Sequence, residues 1–419
     1  MRRARRALAW VVAFAAAALA SSSLRRGARP PPARPLVVAS VAASGPPSSP
    51  SSAPPAPRLP PRDRGAGVAR LGPPAMQGLD PRRTNRSPFV APRAPITRWT
   101  LALGAPIALV PALAGDLVIV GTLGGTIVGV RDGVIAWKHE AQDRVYGSPL
   151  VQGDVAWLGL DGGAMLSLRT KDGAPRARFA TKGDADGAAA PLPDGGLVFA
   201  AGRRVIALDA RGRERWSYEA KRKIFTAPAL TDDGGVVFGG QDDHVTMLAA
   251  KDGAVRWHVH VGADVDGGPA IADDGTIVVG TDGGEIIALE PFGGGVRFRR
   301  DVGGFVRGGL AIGRDGAIFA GVHGPTPGLI ALDAHGAILF RFPIKGTGAK
   351  EHGVRGAPIE DAEGTLLFGG QDDRLYAIDL NGTERWSRTL DGDIDGTLAL
   401  SEHALFVATY AGTLLALTD

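Results

Sequence analysis

The sequence predicts an all-β protein, an eight-bladed β-propeller of four-stranded antiparallel blades closed by pairing of its N- and C-terminal strands. Three observations predict it. From residue 97 onward, short apolar runs rich in β-branched and aromatic residues alternate with Gly/Asp turns, the pattern of hairpin-linked strands. The runs repeat with a period of about 40 residues, which is the length of four short strands and their turns. The last repeat ends at Asp419 after three strands, so the region of Trp99 is expected to bring the fourth. A four-stranded sheet cannot bury both faces alone, and stacking such sheets radially gives a propeller.

In chain order, residues 1–20 read as an export signal. Arg2, Arg3, Arg5 and Arg6 form a basic start, Ala7 to Ala17 an apolar run, and Ala18-Leu19-Ala20 a small-x-small cleavage site. Cleavage would leave a periplasmic or secreted protein. An uncleaved signal would make an inner-membrane anchor, although the run is short for a span. In that case only this N-terminal segment would contact a membrane. Ser21 follows the site and the chain has no cysteine. That removes a lipid attachment point, disulfides, thiolate metal sites and thiol catalysis.

Residues 21–96 differ in kind. They hold 18 of the 31 prolines, with much Ala, Ser and Arg. Such a segment buries too little apolar surface to offset its ordering entropy, so it is expected to be a disordered or partly polyproline II linker. Its 12 arginines face only Asp63 and Asp80, so the overall net charge of +4 hides a basic tail on an acidic body. No aromatic interleaves the arginines ahead of Phe89, as a single-strand binder would require. Nucleic acid is therefore not an expected partner, and the tail reads as a solvated spacer.

Residues 97–419 carry the repeats. An aromatic opens the last strand of each: Trp99, Trp137, Phe179, Trp216, Trp257, Phe298, Phe340 and Trp386. Burying such a ring stabilises a blade junction by up to roughly 4–6 kcal/mol, which explains the aromatics without a cofactor. The corners ALDARGRERW (207–216), LAAKDGAVRW (248–257) and AIDLNGTERW (377–386) resemble the tryptophan-docking repeat of the pyrroloquinoline quinone (PQQ)-like propellers. That family includes quinoprotein dehydrogenases and the propeller lipoprotein of the outer-membrane assembly machinery. The family's Thr before the turn glycine is replaced by Arg211, Asp252 and Asn381.

The resemblance implies that the first-strand starts lie near one mouth of the central channel. Aligned, they read PIALVP, RVYGSP, DADGAA, KIFTAP, DVDGGP, FVRGGL, GVRGAP and DIDGTL. Residues i and i+2 share a strand face. Each blade then presents one pair: Pro106 and Ala108, Arg144 and Tyr146, Asp184 and Asp186, Lys223 and Phe225, Asp264 and Asp266, Phe305 and Arg307, Gly353 and Arg355, Asp393 and Asp395. A ring of charged and aromatic residues at one mouth is the candidate ligand or partner site. The GGQDD runs of blades four and seven (239–243 and 369–373) read as turns rather than acidic sites. The loops 322–328 and 345–351 are longer than their counterparts and are candidate contact loops.

Other chemistry is sparse. The Asp-x-Asp-Gly triplets lack the further ligands of a calcium loop. His258 and His260 alternate on one strand, but two histidines do not complete a metal site. Ser148 and Ser401 lack His/Asp partners at telling spacing. Two functional classes follow. The first is a non-enzymatic, monomeric binding or scaffold propeller of the cell envelope, with an envelope protein or peptide as partner and no cofactor. The alternative is a PQQ-dependent dehydrogenase with calcium. That needs a stacking floor, carboxylate and amide oxygens for the ion, and a carboxylate base. The chain leaves no room for the long insertions of such enzymes, lacks their vicinal cysteines, and holds one asparagine, Asn381, in the propeller.

Overall fold

The computed structural model describes residues 76–349, 351–396 and 398–419. The export signal and the linker up to residue 75 lie outside the described residues. Eight four-stranded antiparallel sheets follow one another around a ring, and no helix occurs among the described residues. The innermost strands are short: Ala112–Ala114, Leu150–Gln152, Ala190–Pro191, Ala229–Leu230, Ala270–Ile271, Leu310–Ile312, Ile359–Glu360 and Ala399–Leu400. The second and third strands of each blade are buried almost throughout, as in Gly235–Gly239 and His244–Ala249 of blade four. The fourth strands are wet edges. Val255–His260 alternates exposed residues with Trp257, which is buried.

Closure is as expected. Ile96–Ala102 pairs antiparallel with Thr413–Thr418 and completes the eighth blade. It does so as the outermost strand, in the order of every other blade.

Glycine marks where neighbouring blades meet. A Cβ on Gly239 would lie 2.2 Å from Val265 Cγ1 of the next blade, and one on Gly369 would lie 2.2 Å from Ile394 Cγ2. The glycines ending the second strands are the sockets into which the next blade inserts an apolar side chain. The docking rings use the turn glycines in the same way. Gly253 has φ 76°, and a Cβ there would stand 2.7 Å from the Trp216 ring. The indole of Trp216 donates to the Ala250 carbonyl at 2.9 Å, so ring and turn are bonded as well as packed.

Blade two departs from the expected marker. Ser167 faces Ala177 across the sheet, as Ala207 faces Trp216 in blade three. Ala177 therefore holds the docking position, and Phe179 sits two residues further along, where blade three has Tyr218. Trp157, from the second strand, fills the space that Ala177 is too small to cover. A Cβ on Gly212 of the next turn would meet its ring at 3.1 Å.

Residues 76–95, assigned above to the linker, are packed against the propeller instead. Met76 joins the core of blades two to four beside Leu192 and Leu230. The chain then crosses the ends of the inner strands blade by blade. Pro81 accepts from Leu230 N–H, Arg82 from Ile271, Thr84 from Ile312 and Asn85 from Glu360, all at 2.8–3.0 Å. Ser87 N–H returns a bond to Glu360, and Ala362 N–H donates to Phe89. Composition misled here because the segment is ordered by borrowed backbone partners rather than by its own apolar content. It spans one end of the ring, and the end where the first strands begin is the other.

Candidate functional site

The candidate residues precede the inner strands rather than lying on them. Each triplet is extended and pinned by one backbone bond that recurs in all eight blades. Leu123, Asp161, Gly202, Gln241, Asp282, His323, Gln371 and Tyr410 donate their N–H to the carbonyls of Pro106, Arg144, Asp184, Lys223, Asp264, Phe305, Gly353 and Asp393, at 2.8–3.1 Å. The donors belong to the turn between the second and third strands of the same blade. The middle residue of each triplet turns inward. Val145, Ala185, Val265, Val306, Val354 and Ile394 are all buried. The flanking pair is thereby turned to the mouth, as the i, i+2 rule requires.

The turns contribute a second ring that the sequence reading missed. Asp161, Gln241, Asp282, Gln371 and Tyr410 stand beside the triplets. Gln371 Nε2 donates to Asp395 Oδ1 of the next blade at 2.9 Å. Asp282 clasps Arg307 of the next blade through both carboxylate oxygens, at 2.7–3.0 Å. The available signal was the GGQDD sequence. It is a turn, with Asp243 and Asp373 in the left-handed region (φ 61° each), but its glutamine reaches the rim.

Cations and carboxylates partly pair. Lys223 bonds Asp184 at 3.2 Å and lies over the Phe225 ring. Arg355 approaches Asp395 at 3.7 Å, and Arg144 approaches Asp161 at 3.9 Å. Arg307 lies over Phe305 and also meets Glu351, so the last residue of the inserted loop 345–351 meets a candidate mouth residue. The other insertion places His323 between Phe305 and Gly353 in paired bridges. Burial, reinforced by Arg355 and Arg307, lowers the His323 pKa to about 4, so this imidazole is neutral.

The acids exceed the cations available to them. Asp186 is raised to about 7, by burial first and then by Asp161 and Asp184. Asp266 is raised to about 6 by burial and Asp282. Asp393 is raised to about 6 by burial and its neighbours Asp395 and Asp373. Asp264 moves the same way, through burial, Asp266 and Asp243. Asp186 and Asp266 each hold one buried carboxylate oxygen without a hydrogen-bond partner among the described residues. Tyr146 is half-buried beside Tyr410 and Arg144.

At the opposite end, Arg83 of the crossing segment is buried with Nη1 unpartnered among the described residues. Its Nε lies 3.2 Å from where a Cβ of Gly268 would be. The crossing segment thus sends a cation in from the other end of the ring as far as Gly268, two residues past Asp266.

The family model described as outer membrane protein assembly factor BamB matches residues 96–190, 178–263 and 241–419. No curated protein sequence matches the chain. The chain is similar in fold to the crystal structure of BamB from Moraxella catarrhalis, at 19% identity and a TM-score of 0.67, covering 78% of this chain and 100% of that one. It is also similar to a europium-containing methanol dehydrogenase, at 11% identity and a TM-score of 0.68, covering 82% and 98%. A third similar structure is the quinohemoprotein alcohol dehydrogenase from Comamonas testosteroni, at 12% identity and a TM-score of 0.69, covering 83% and 80%. At these identities the likenesses establish the propeller and nothing finer.

Proposed function

The chain belongs to the family of the outer membrane protein assembly factor BamB, and from that premise we propose that it is a non-catalytic binding propeller of the cell envelope whose acidic mouth takes a cationic segment of a partner protein or peptide. One observation carries the reading. Asp186 and Asp266 hold partly buried carboxyls, each with an unpartnered oxygen, inside a rim where carboxylates already repel one another. An incoming ammonium or guanidinium would supply the missing donors and the missing charge together. The half-buried ring of Tyr146 gives the same guest apolar contact, whereas Phe225 and Phe305 already carry Lys223 and Arg307. Family membership supports the envelope location and a protein partner.

The quinoprotein alternative finds less support in the residues present. Trp99, Trp137, Trp157, Trp216, Trp257 and Trp386 pack at blade junctions, so none of them floors the mouth for a quinone. Asn381 lies in an outer turn and Asn85 within the crossing segment at the other end of the ring. The Asp161, Asp184 and Asp186 cluster already has the Lys223 ammonium on Asp184. This donor set does not fit PQQ with calcium, and no step is assigned to them.

The test is binding of a fluorescently labelled oligolysine peptide, read by anisotropy, to the wild type and to Asp186→Lys and Asp264→Lys. Weaker binding in the variants at an unchanged melting temperature supports the mouth. Equal binding in all three proteins removes it.

A further inference from the structure

Blade four brings together side chains that the sequence keeps apart. His244 opens its third strand, and His258 and His260 close its fourth. In the ladder His244 faces His260 and Thr246 faces His258, so three imidazoles share one face at one end of the hairpin. His244 stacks on His258 with centroids 4.1 Å apart, and His260 meets His244 edge-on at 5.1 Å. Asp242, in the adjoining turn, adds a carboxylate. One ligand atom each from Asp242, His244 and His258 lies within 4.8 Å of the others.

We propose that Asp242, His244 and His258, with His260 in reach as a fourth ligand, bind a divalent transition-metal ion of the zinc, copper or nickel class. Imidazole and carboxylate donors suit those ions. Two hydrogen bonds prepare the rings. His244 Nδ1 is bonded to the Asp242 carbonyl, which can only accept. The proton is therefore on Nδ1, and Nε2 keeps its lone pair for the metal. His258 Nδ1 bonds the buried Thr246 hydroxyl at 2.7 Å, which frees His258 Nε2 in the same manner when the ring donates. Backbone carbonyls and hydroxyls behind ligating histidines fix ring and tautomer in this way.

Zinc ligands at about 2.0–2.2 Å from the ion lie roughly 3.3 Å from one another in a tetrahedron, so the set must close by at most about 1.5 Å. His258 and His260 are exposed and can close by side-chain rotation. The charged groups facing the cluster are Asp242 and, less favourably, Lys221, with Asp243 near His260.

The experiment is calorimetric titration of Zn²⁺ into the full, untagged chain at pH 7.5. One saturable equivalent is expected, lost or weakened more than about tenfold in His244→Ala and in His258→Gln. Thr246→Val keeps every ligand yet should weaken binding by about 10–100-fold, because the tautomer and ring orientation are no longer held. Asp184→Asn, in the separate acidic cluster of the mouth, should leave the affinity unchanged. Cu²⁺ loading should give an electron paramagnetic resonance spectrum with nitrogen splitting that His258→Gln simplifies. Absence of saturable Zn²⁺ binding, its persistence in the His244→Ala/His258→Gln double variant, or its loss in Asp184→Asn overturns the site.

Discussion

Trp386 donates its indole N–H to the carbonyl of Pro92 at 2.9 Å, across 294 residues of sequence. The same bond elsewhere is local. Trp137 reaches Thr170, Trp216 reaches Ala250 and Trp257 reaches Pro291, separated by 33, 34 and 34 residues. In blade eight the outermost strand is Ile96–Ala102, so the segment leading into that strand supplies the carbonyl. The start of the strand Ile96–Ala102 therefore stands in for the missing turn of blade eight. Asp419 completes the substitute, its carboxylate accepting from the N–H groups of Arg93 and Ala94 at 2.6 and 3.0 Å.

If this junction latches the ring, it should be a stability hot spot. Trp386→Ala removes a largely packed indole and a hydrogen bond, and an expected loss of about 3 kcal/mol follows from such deletions. Deleting Asp419 removes only the capping bonds and should cost about 1–2 kcal/mol. Equilibrium urea unfolding measures both. A Trp386→Ala protein as stable as the wild type would show that the closure rests on the Thr413–Thr418 ladder alone.

The crossing segment gives a second prediction. Asn85 has φ 57° and is buried, with Nδ2 donating to the Leu310 carbonyl at 2.8 Å and to Arg83 O at 3.2 Å. Asn85→Leu would strand the Leu310 carbonyl and place a branched side chain in a left-handed backbone. A loss of about 2–4 kcal/mol is expected. Removing residues 1–75 leaves these bonds intact and should not change the melting temperature.

The ring, its count and its closure were legible because each rests on a periodic signal of apolar runs, turn glycines and docking aromatics. The buried middle residue of each triplet was legible for the same reason, since Val145 or Ile394 between two polar residues is an alternation visible in the sequence. What escaped depends on contacts between blades. Gln371 reaching Asp395, or Trp157 replacing the ring that Ala177 lacks, has no spacing rule. Residues 76–95 escaped because prolines and arginines describe what a segment can bury, not which carbonyls it can borrow. His244 escaped because only strand pairing places it against His258 and His260.

Blade two tests that distinction directly. Trp157 is almost fully buried, whereas Phe179 is partly exposed and meets Phe199 edge-on at 6.5 Å. Trp157→Ala should destabilise by about 3–5 kcal/mol and Phe179→Ala by less. The reverse order would restore Phe179 as the docking ring.

The acidic mouth makes stability and binding respond to pH in opposite directions. Asp186 titrates near 7 in the folded chain, against about 4 when unfolded. Its raised value means the native state holds the proton more tightly. The associated stability is complete below pH 4 and is lost as pH rises through 7. Partial exposure of the carboxyl limits the slope to at most about 1 kcal/mol per pH unit from this group. Asp266 and Asp393 add to it over a narrower window that ends near 6. Carboxylates held low by turn N–H groups, such as Asp333 and Asp379, act oppositely, since their stability is present above pH 4 and is lost only as pH falls further. His323, lowered to about 4, opposes the mouth carboxyls up to its unfolded value near 6.5, so the mouth dominates from about pH 6.5 to 8 and the midpoint of urea unfolding should fall as pH rises there. Oligolysine binding should strengthen over the same interval, because the guest needs the carboxylates ionised. Asp186→Asn should flatten both curves. A variant that flattens stability but leaves the binding profile untouched would confine Asp186 to the fold and move the partner surface elsewhere on the ring.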